Sequence, residues 1–243
     1  RLKVQAMGAT VVHIKTDSIK VEHPSKEVSD FILSYGKQWG YNFEIEDIYD
    51  RICLVNDAVY VAKRSVDDPG WKDECEKAAK EGKPEPTRWT ATGAQFLKDK
   101  NPFVFKTLFS KEPVEFPDLC ETRTVQTDMY LDMNEDLPEG EHNYQFVGKA
   151  GLFCPIQPGK GGGILYRKST SGKYDSVSGT KGHRWMEAEK VALLKYEDNI
   201  DLDYFRALDD AAIETINKFT DFDTFVHGED VQMPWETQTN EKE

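Results

Sequence analysis

Two short β-branched runs, Val11–Ile14 and Ser18–Val21, flank the polar Lys15-Thr16-Asp17 within Thr10–Val21. Runs of this kind around a polar tripeptide predict a tight antiparallel hairpin. Its tip has no glycine, unlike the Asn-Gly or Asp-Gly of most hairpin tips. Alternation along a strand puts His13, Lys15 and Asp17 on one face and Thr16 on the other. From Pro24 to Gly40 the period becomes helical: Val28, Phe31, Ile32, Tyr35 and Trp39 form one apolar, core-facing stripe, with Pro24 suited to the start and Gly40 to the stop. Tyr41–Glu46 alternates again, Phe43 and Ile45 against Glu44 and Glu46, and predicts a strand. Arg51–Arg64 reads as a second hairpin whose apolar runs meet at Asn56-Asp57.

Ser65–Arg88 breaks this pattern. It is polar, carries Pro69-Gly70, Pro84 and Pro86, and reads as a surface excursion with one short helix near Asp73–Glu81. Apolar residues return over Trp89–Ser110, with a helix expected from about Phe103. Glu112–Asp128, with Pro113 and Pro117, reads as irregular. Phe146–Ile156 and Gly163–Lys168 read as strands around a glycine turn, and Gly172–Gly182 as a second loop. Trp185–Leu194 and Leu202–Phe219 read as helices, the latter with Phe205, Leu208, Ala212, Ile216 and Phe219 on one face. Trp235 is expected to dock the end, and Glu236–Glu243 to fray. The sum is an α+β fold: antiparallel hairpins with a packed helix over residues 1–64, a polar insertion over 65–88, and a mixed helical and β region over 89–243.

The chain has 243 residues, enough for a sizeable core. It begins with Arg1 and is expected to be a piece of a longer protein. No apolar run approaches the roughly 20 residues of a membrane helix, so no membrane partner is expected. The four cysteines, Cys53, Cys75, Cys120 and Cys154, are widely spaced and show no zinc pattern, which fits reduced thiols in a cytoplasmic protein. A net charge of −13 argues against a general nucleic-acid coat. The charge is unevenly spread, however. Residues 143–190 hold eight basic side chains against three acidic ones, whereas 191–243 hold four against fourteen. A basic island of this kind is either a lysine-rich exposed loop or the footprint of a DNA-contacting surface. In the second case Lys149, Lys160, Arg167, Lys168, Lys173, Lys181 and Arg184 are its DNA-binding residues. The run Pro158-Gly-Lys-Gly-Gly-Gly163 fails the phosphate-loop pattern, but its backbone amides, beside lysines, suit contacts with DNA phosphates.

A lone Asp at a hairpin tip is by default a turn residue that caps its own backbone. A resemblance adds a second role. His13-Ile14-Lys15-Thr16-Asp17-Ser18 resembles the third palm motif of family B DNA polymerases, usually Tyr-Gly-Asp-Thr-Asp-Ser, at Thr16, Asp17 and Ser18. Lys15 stands where the first Asp of that motif stands, and His13 replaces the tyrosine. The whole chain resembles the C-terminal part of a phage-type enzyme of this family. That implies a palm piece over 1–64 and a thumb-like region over 89–243. It also implies that Asp17 binds the catalytic Mg2+ (or Mn2+) ions. Two such ions stabilise the attacking and leaving oxygens, and one carboxylate cannot hold both, so their remaining ligands are expected upstream of Arg1. Val59-Tyr60 resembles the end of the family's primer-gripping hairpin, with Tyr60 contacting the primer. The lysine expected two positions earlier is Ala58, and Asn56, Lys63 or Arg64 are the candidate substitutes.

The implied function is the palm and thumb of a DNA-directed DNA polymerase, with primer–template DNA, deoxynucleoside triphosphates and the missing N-terminal part as partners. Its place would be a bacterial cytoplasm, with the gene carried by a phage or prophage. The isolated piece is expected to be inactive. Lys15, whose charge would repel a bound metal ion at short range, is expected to bind a phosphate. Two alternatives stand beside this: a non-catalytic or degenerate DNA-binding subunit, and a phage structural or interaction protein.

Overall fold

The structure, a computed structural model, describes residues 1–15 and 17–229. Thr16, Trp235 and the Glu236–Glu243 tail lie outside the described residues. The fold is α+β, and all its strand pairings are antiparallel. The described residues form two compact units, one of Arg1–Gly93 with residues 215–229, the other of Ala94–Glu214.

The first unit opens with a one-turn helix, α1 (Leu2–Ala6), and the hairpin β1 (Thr10–Lys15) and β2 (Ser18–Glu22). Helix α2 (Lys26–Gln38) follows. Ser25 caps it by accepting from the Val28 amide at 3.3 Å, so Pro24 precedes the cap instead of opening the helix. Gly40, at φ +82°, supplies the left-handed residue just past its end. Val28 and Gly36 form the buried line of α2. Trp39, expected in the core, is 67% exposed and leans on Tyr35 instead. The strand expected over Tyr41–Glu46 does not form. This segment runs beside α2 with no pairing partner, and Phe43 lies against Gly36, where an added Cβ would stand 2.2 Å from the ring.

The second hairpin joins β3 (Tyr49–Leu54) to β4 (Tyr60–Arg64). Helix α3 (Pro69–Lys80) is longer than predicted and starts earlier, because Asp68 caps it and proline occupies its first turn. The polar stretch is anchored by buried Asp68 and Trp71. A bidentate Arg64–Glu74 pair at 2.8 and 2.9 Å and an Arg88–Asp50 ion pair add to this. A strand not foreseen, β5 (Trp89–Ala91), adds to β4 and completes a three-stranded sheet.

The second unit begins with α4 (Pro102–Val104), which continues as a wider π turn over Phe105–Ser110. The segment expected to be irregular instead enters a long strand, β6 (Glu121–Asp132), paired with β7 (Tyr144–Ile156). β8 (Ile164–Lys168) flanks β6, and β9 (Tyr174–Ser176) lies within the predicted second loop. Trp185–Glu187, expected to be helical, belongs to β10 (Arg184–Glu187) on the far side of β7; only α5 (Ala188–Leu194) is helix. The sheet order is β10-β7-β6-β8-β9. Paired bonds of 2.8 and 2.7 Å between Gly163 and Trp185 join β10 to the start of β8 and curl the sheet into a small barrel. Its interior holds Met129, Leu131, Phe153, Ile156, Leu165 and Trp185, covered by Val191 of α5 and Phe205 of α6 (Leu202–Asn217). Phe219 lies past the end of α6 and is 55% exposed.

The residues after Glu214 belong to the first unit and end in α7 (Phe222–His227). There the Arg51 guanidinium donates to the carbonyls of Phe225 and Gly228 at 2.8 and 2.7 Å, and the Phe225 ring meets the Trp89 ring at 5.5 Å.

Candidate catalytic hairpin and nucleic-acid contacts

The β1–β2 ladder ends with Lys15 opposite Ser18, which leaves Asp17 outside the strands at the hairpin tip. Ser18 Oγ donates to the Lys15 carbonyl at 3.1 Å and closes the base of the turn. Asp17 is exposed at this tip, and so is Lys15. It is a loop residue, so it does not share a strand face with His13 and Lys15 as simple alternation predicts. A register shift between Val11 and His13 further breaks that alternation lower in the hairpin.

The first unit has a cleft of about 510 Å³ beside this hairpin, lined among others by Ser18, Lys20, Glu22, Asp47, Tyr49 and Arg51; Lys15 and Asp17 are not in its lining. Lys20 of β2 and Arg51 of β3 are cations in this lining, and the Arg51 guanidinium donates to the carbonyls of Phe225 and Gly228. The Lys20 ammonium stands 5.0 Å from the centre of the Tyr49 ring and 5.3 Å from that of Tyr60, a geometry favourable for cation–π attraction. The Tyr49 hydroxyl donates to Asp47 Oδ2 at 2.8 Å. Burial, together with hydrogen bonds to Tyr60 and Asp47, pushes the Tyr49 phenol well above its ordinary range, so it remains a neutral donor. The single O–H of Tyr49 is committed to Asp47, and Glu22, Glu46 and Asp50 also line the cleft, so the Lys20 ammonium is the group left here to meet a phosphate oxygen by charge.

The remaining candidates on the second hairpin are differently placed. Asn56 builds the turn: its Oδ1 accepts from the amides of Ala58 and Val59 at 2.9 and 3.0 Å. Lys63 is half-buried in mid-strand, between Arg51 of β3 and Trp89 of β5. Arg64 is engaged by Glu74, which raises the guanidinium and holds the Glu74 carboxyl below its usual range. Lys20 and Tyr49 were not among the sequence candidates. No local pattern marks them, because their meeting with Tyr60 depends on how β2 packs against β3 and β4.

The basic island separates into free and committed side chains. Gly148 and Arg167 both pair with Met129, so neighbouring Lys149 and Arg167 straddle β6, and both are exposed. Lys160 and Lys181 are exposed on two loops. Lys168 is half-buried, its ammonium 5.3 Å from the Tyr174 ring and 6.0 Å from Tyr130. Lys173 pairs with Asp175 at 3.2 Å. Arg184 is engaged within the fold: it donates to the Gly162 carbonyl at 2.9 Å and to Asn134 Oδ1 at 3.2 Å. The amides of Gly159 and Gly161, expected to face DNA phosphates, donate to the Glu135 carboxylate at 3.0 and 2.7 Å. Gly162 and Gly163 serve close packing, since added Cβ atoms would lie 3.0 Å from the Trp185 carbonyl oxygen and 2.9 Å from Leu131 Cβ.

Among the described residues no group of three or more His, Cys, Asp or Glu side chains could hold a metal ion. No helix among them is long and apolar enough to cross a membrane. No family model matches this chain, and no curated protein or solved structure matches it.

Proposed function

We propose that this chain is the C-terminal palm and thumb of a family B DNA polymerase of phage type. One observation carries the reading: Asp17 sits exposed at the tip of a hairpin whose last pair is Lys15 and Ser18, while Lys20 of the same hairpin stands over the Tyr60 ring of the next. This is the arrangement expected of a metal-binding carboxylate held beside a primer grip. In this reading Asp17 contributes one ligand to the Mg2+ (or Mn2+) ions and segments upstream of Arg1 contribute the rest, so the chain alone is inactive. Lys20 and Tyr60 hold a primer phosphate, and Lys20 supplies the charge that Ala58 lacks. Lys15 faces the phosphates of the primer or the incoming nucleotide. Lys149, Lys160, Arg167 and Lys181 contact duplex product without reading its sequence. The partners are primer–template DNA, deoxynucleoside triphosphates and the rest of the same polymerase, working in the cytoplasm of a bacterial host.

A second reading, a degenerate DNA-binding subunit, is favoured by Lys15, which puts a positive charge where a second carboxylate would be. The two part on one experiment. The gene is sequenced upstream of Arg1, and the encoded full-length protein is assayed for templated primer extension with Mg2+. The polymerase reading expects an Asp-x-x-Ser-Leu-Tyr-Pro-like motif and a Lys-x-x-x-Asn-x-x-Tyr-Gly-like helix upstream. It also expects extension that Asp17→Asn slows by at least ~10³-fold, about 4 kcal/mol of barrier. Absence of both motifs, or near-normal extension by Asp17→Asn, overturns it.

A further inference from the structure

We propose that Cys120 and Cys154 form an oxidant-addressable pair that closes into a reversible disulfide at the start of the β6–β7 ladder. Both are buried, free cysteines, and their sulfur atoms lie 3.4 Å apart. They are 34 residues apart in sequence, so the contact is made by the fold. Glu121 faces Phe153 in the ladder, which sets Cys120 opposite Cys154 one step further along. Directly opposed residues of an antiparallel pair have Cα atoms about 4.5–5.5 Å apart, inside the roughly 4.4–6.8 Å span that disulfides bridge. Closing the bond therefore calls for side-chain rotation and little backbone movement.

The surroundings assign the two sulfurs different roles. Cys120 Sγ donates to the Phe116 carbonyl at 3.2 Å, and the Cys154 thiol donates to the Cys120 sulfur. That contact pulls the Cys120 thiol below its ordinary value, while the same contact and burial push Cys154 up. Cys120 is also the less covered, at 7% exposure against 0%. It is therefore the sulfur a small hydroperoxide meets first, and the better nucleophile.

The chemistry balances with hydrogen peroxide as the oxidant. The Cys120 sulfur attacks one peroxide oxygen, an S–O bond forms, the O–O bond breaks, and water departs with the thiol proton. The Cys154 sulfur then attacks the Cys120 sulfenic acid; the S–S bond forms, the S–O bond breaks, and hydroxide leaves with the Cys154 proton as a second water. Two thiols lose two electrons and one peroxide gains them. The bond ties the two strands at one end of their pairing and stabilises the fold by restricting the unfolded chain.

The test uses the intact 243-residue chain. It is treated with hydrogen peroxide, alkylated in denaturant, weighed and peptide-mapped. The expected result is loss of two of the four thiols, read as two alkyl groups added where the untreated chain takes four, a linked Cys120–Cys154 peptide, and recovery with dithiothreitol. Tm should rise by at least ~4 °C on oxidation. Cys154→Ala should abolish the linked peptide and the Tm rise, whereas the double variant Cys53→Ala/Cys75→Ala should keep both. Four thiols surviving peroxide, a linkage through Cys53 or Cys75, or loss of the response in the double variant overturns the proposal. The double variant leaves the pair untouched, so it decides the matter even if Cys154→Ala fails to fold.

Discussion

Replacing Asp68 with alanine tests what holds the second hairpin beside the cleft. Asp68 is fully buried, and its two oxygens serve two different backbone amides. Oδ1 accepts from Trp71 N at 2.7 Å and caps α3, while Oδ2 accepts from Ile48 N at 2.7 Å, one residue before Tyr49. The Ile48 carbonyl in turn accepts from Ser65 N at 2.7 Å, so the backbone entering β3 is gripped on both sides. Loss of the cap costs about 1 kcal/mol. Leaving the Ile48 amide without its acceptor costs a further ~1–3 kcal/mol. The sum is about 2–4 kcal/mol, which for a chain of this size lowers Tm by roughly 4–16 °C. Calorimetry measures the total, and hydrogen exchange separates its parts. Asp68→Ala should speed exchange at both Ile48 and Trp71. Asp68→Asn keeps one acceptor oxygen and turns an amide NH2 toward the other donor; it should speed exchange chiefly at one of the two and lose less stability. A Tm for Asp68→Ala within about 1 °C of the parent, with both amides still protected, would refute the reasoning.

Two further outcomes follow from charges near the cleft and in the second unit. Lys20→Ala should reduce the salt slope of primer–template binding by about one unit while leaving far-UV circular dichroism unchanged; an unaltered slope removes Lys20 from the phosphate contact. Asp209 is set against the Thr107 hydroxyl at 2.9 Å, and burial pushes its pKa up to about 6 despite that hydrogen bond. The folded chain then retains a proton that the unfolded chain has given up, so this group's contribution to stability is full below about pH 4 and falls as pH rises toward 6. Asp209→Asn should remove that slope and stabilise the protein at neutral pH by ~1–2 kcal/mol, after allowance for solvent screening. Parallel pH profiles of the parent and variant would count against the assignment.

The hairpins were legible from paired apolar runs joined by short polar stretches, even though the first tip lacks the glycine most such turns carry. The Leu202–Asn217 helix was legible for a similar reason, since Phe205, Ala212 and Ile216 keep the helical period and are buried. Tyr41–Glu46 misled because alternation records which side chains are covered and says nothing about what covers them. Here Phe43 packs on a helix glycine, and no strand partner is present. β6 was hidden because Pro113 and Pro117 dominate the reading of its approach, and because the covered positions of its first half are Glu121, Arg123 and Val125, two of them charged, so no apolar alternation shows. In the site, Asp17 could be found from a contiguous motif. Lys20 could not, because its partners Tyr49 and Tyr60 lie 29 and 40 positions away. The engagement of Arg184 by Gly162 and Asn134 was equally hidden from the sequence. A charge count along the chain cannot see Glu135, whose carboxylate already fills the Gly159 and Gly161 amides.

The Arg51 clasp on α7 bears on the order in which the protein takes shape during synthesis. The second unit, Ala94–Glu214, is one uninterrupted stretch and can fold as soon as it clears the ribosome. The unit bearing the Asp17 hairpin is made first but stays incomplete until the carbonyls of Phe225 and Gly228 emerge to meet Arg51. Nascent chains arrested shortly after Glu214 should therefore resist protease across Ala94–Glu214 while remaining sensitive around Thr10–Arg64. The residues carrying the proposed chemistry would be the last to be locked in, though they are translated early.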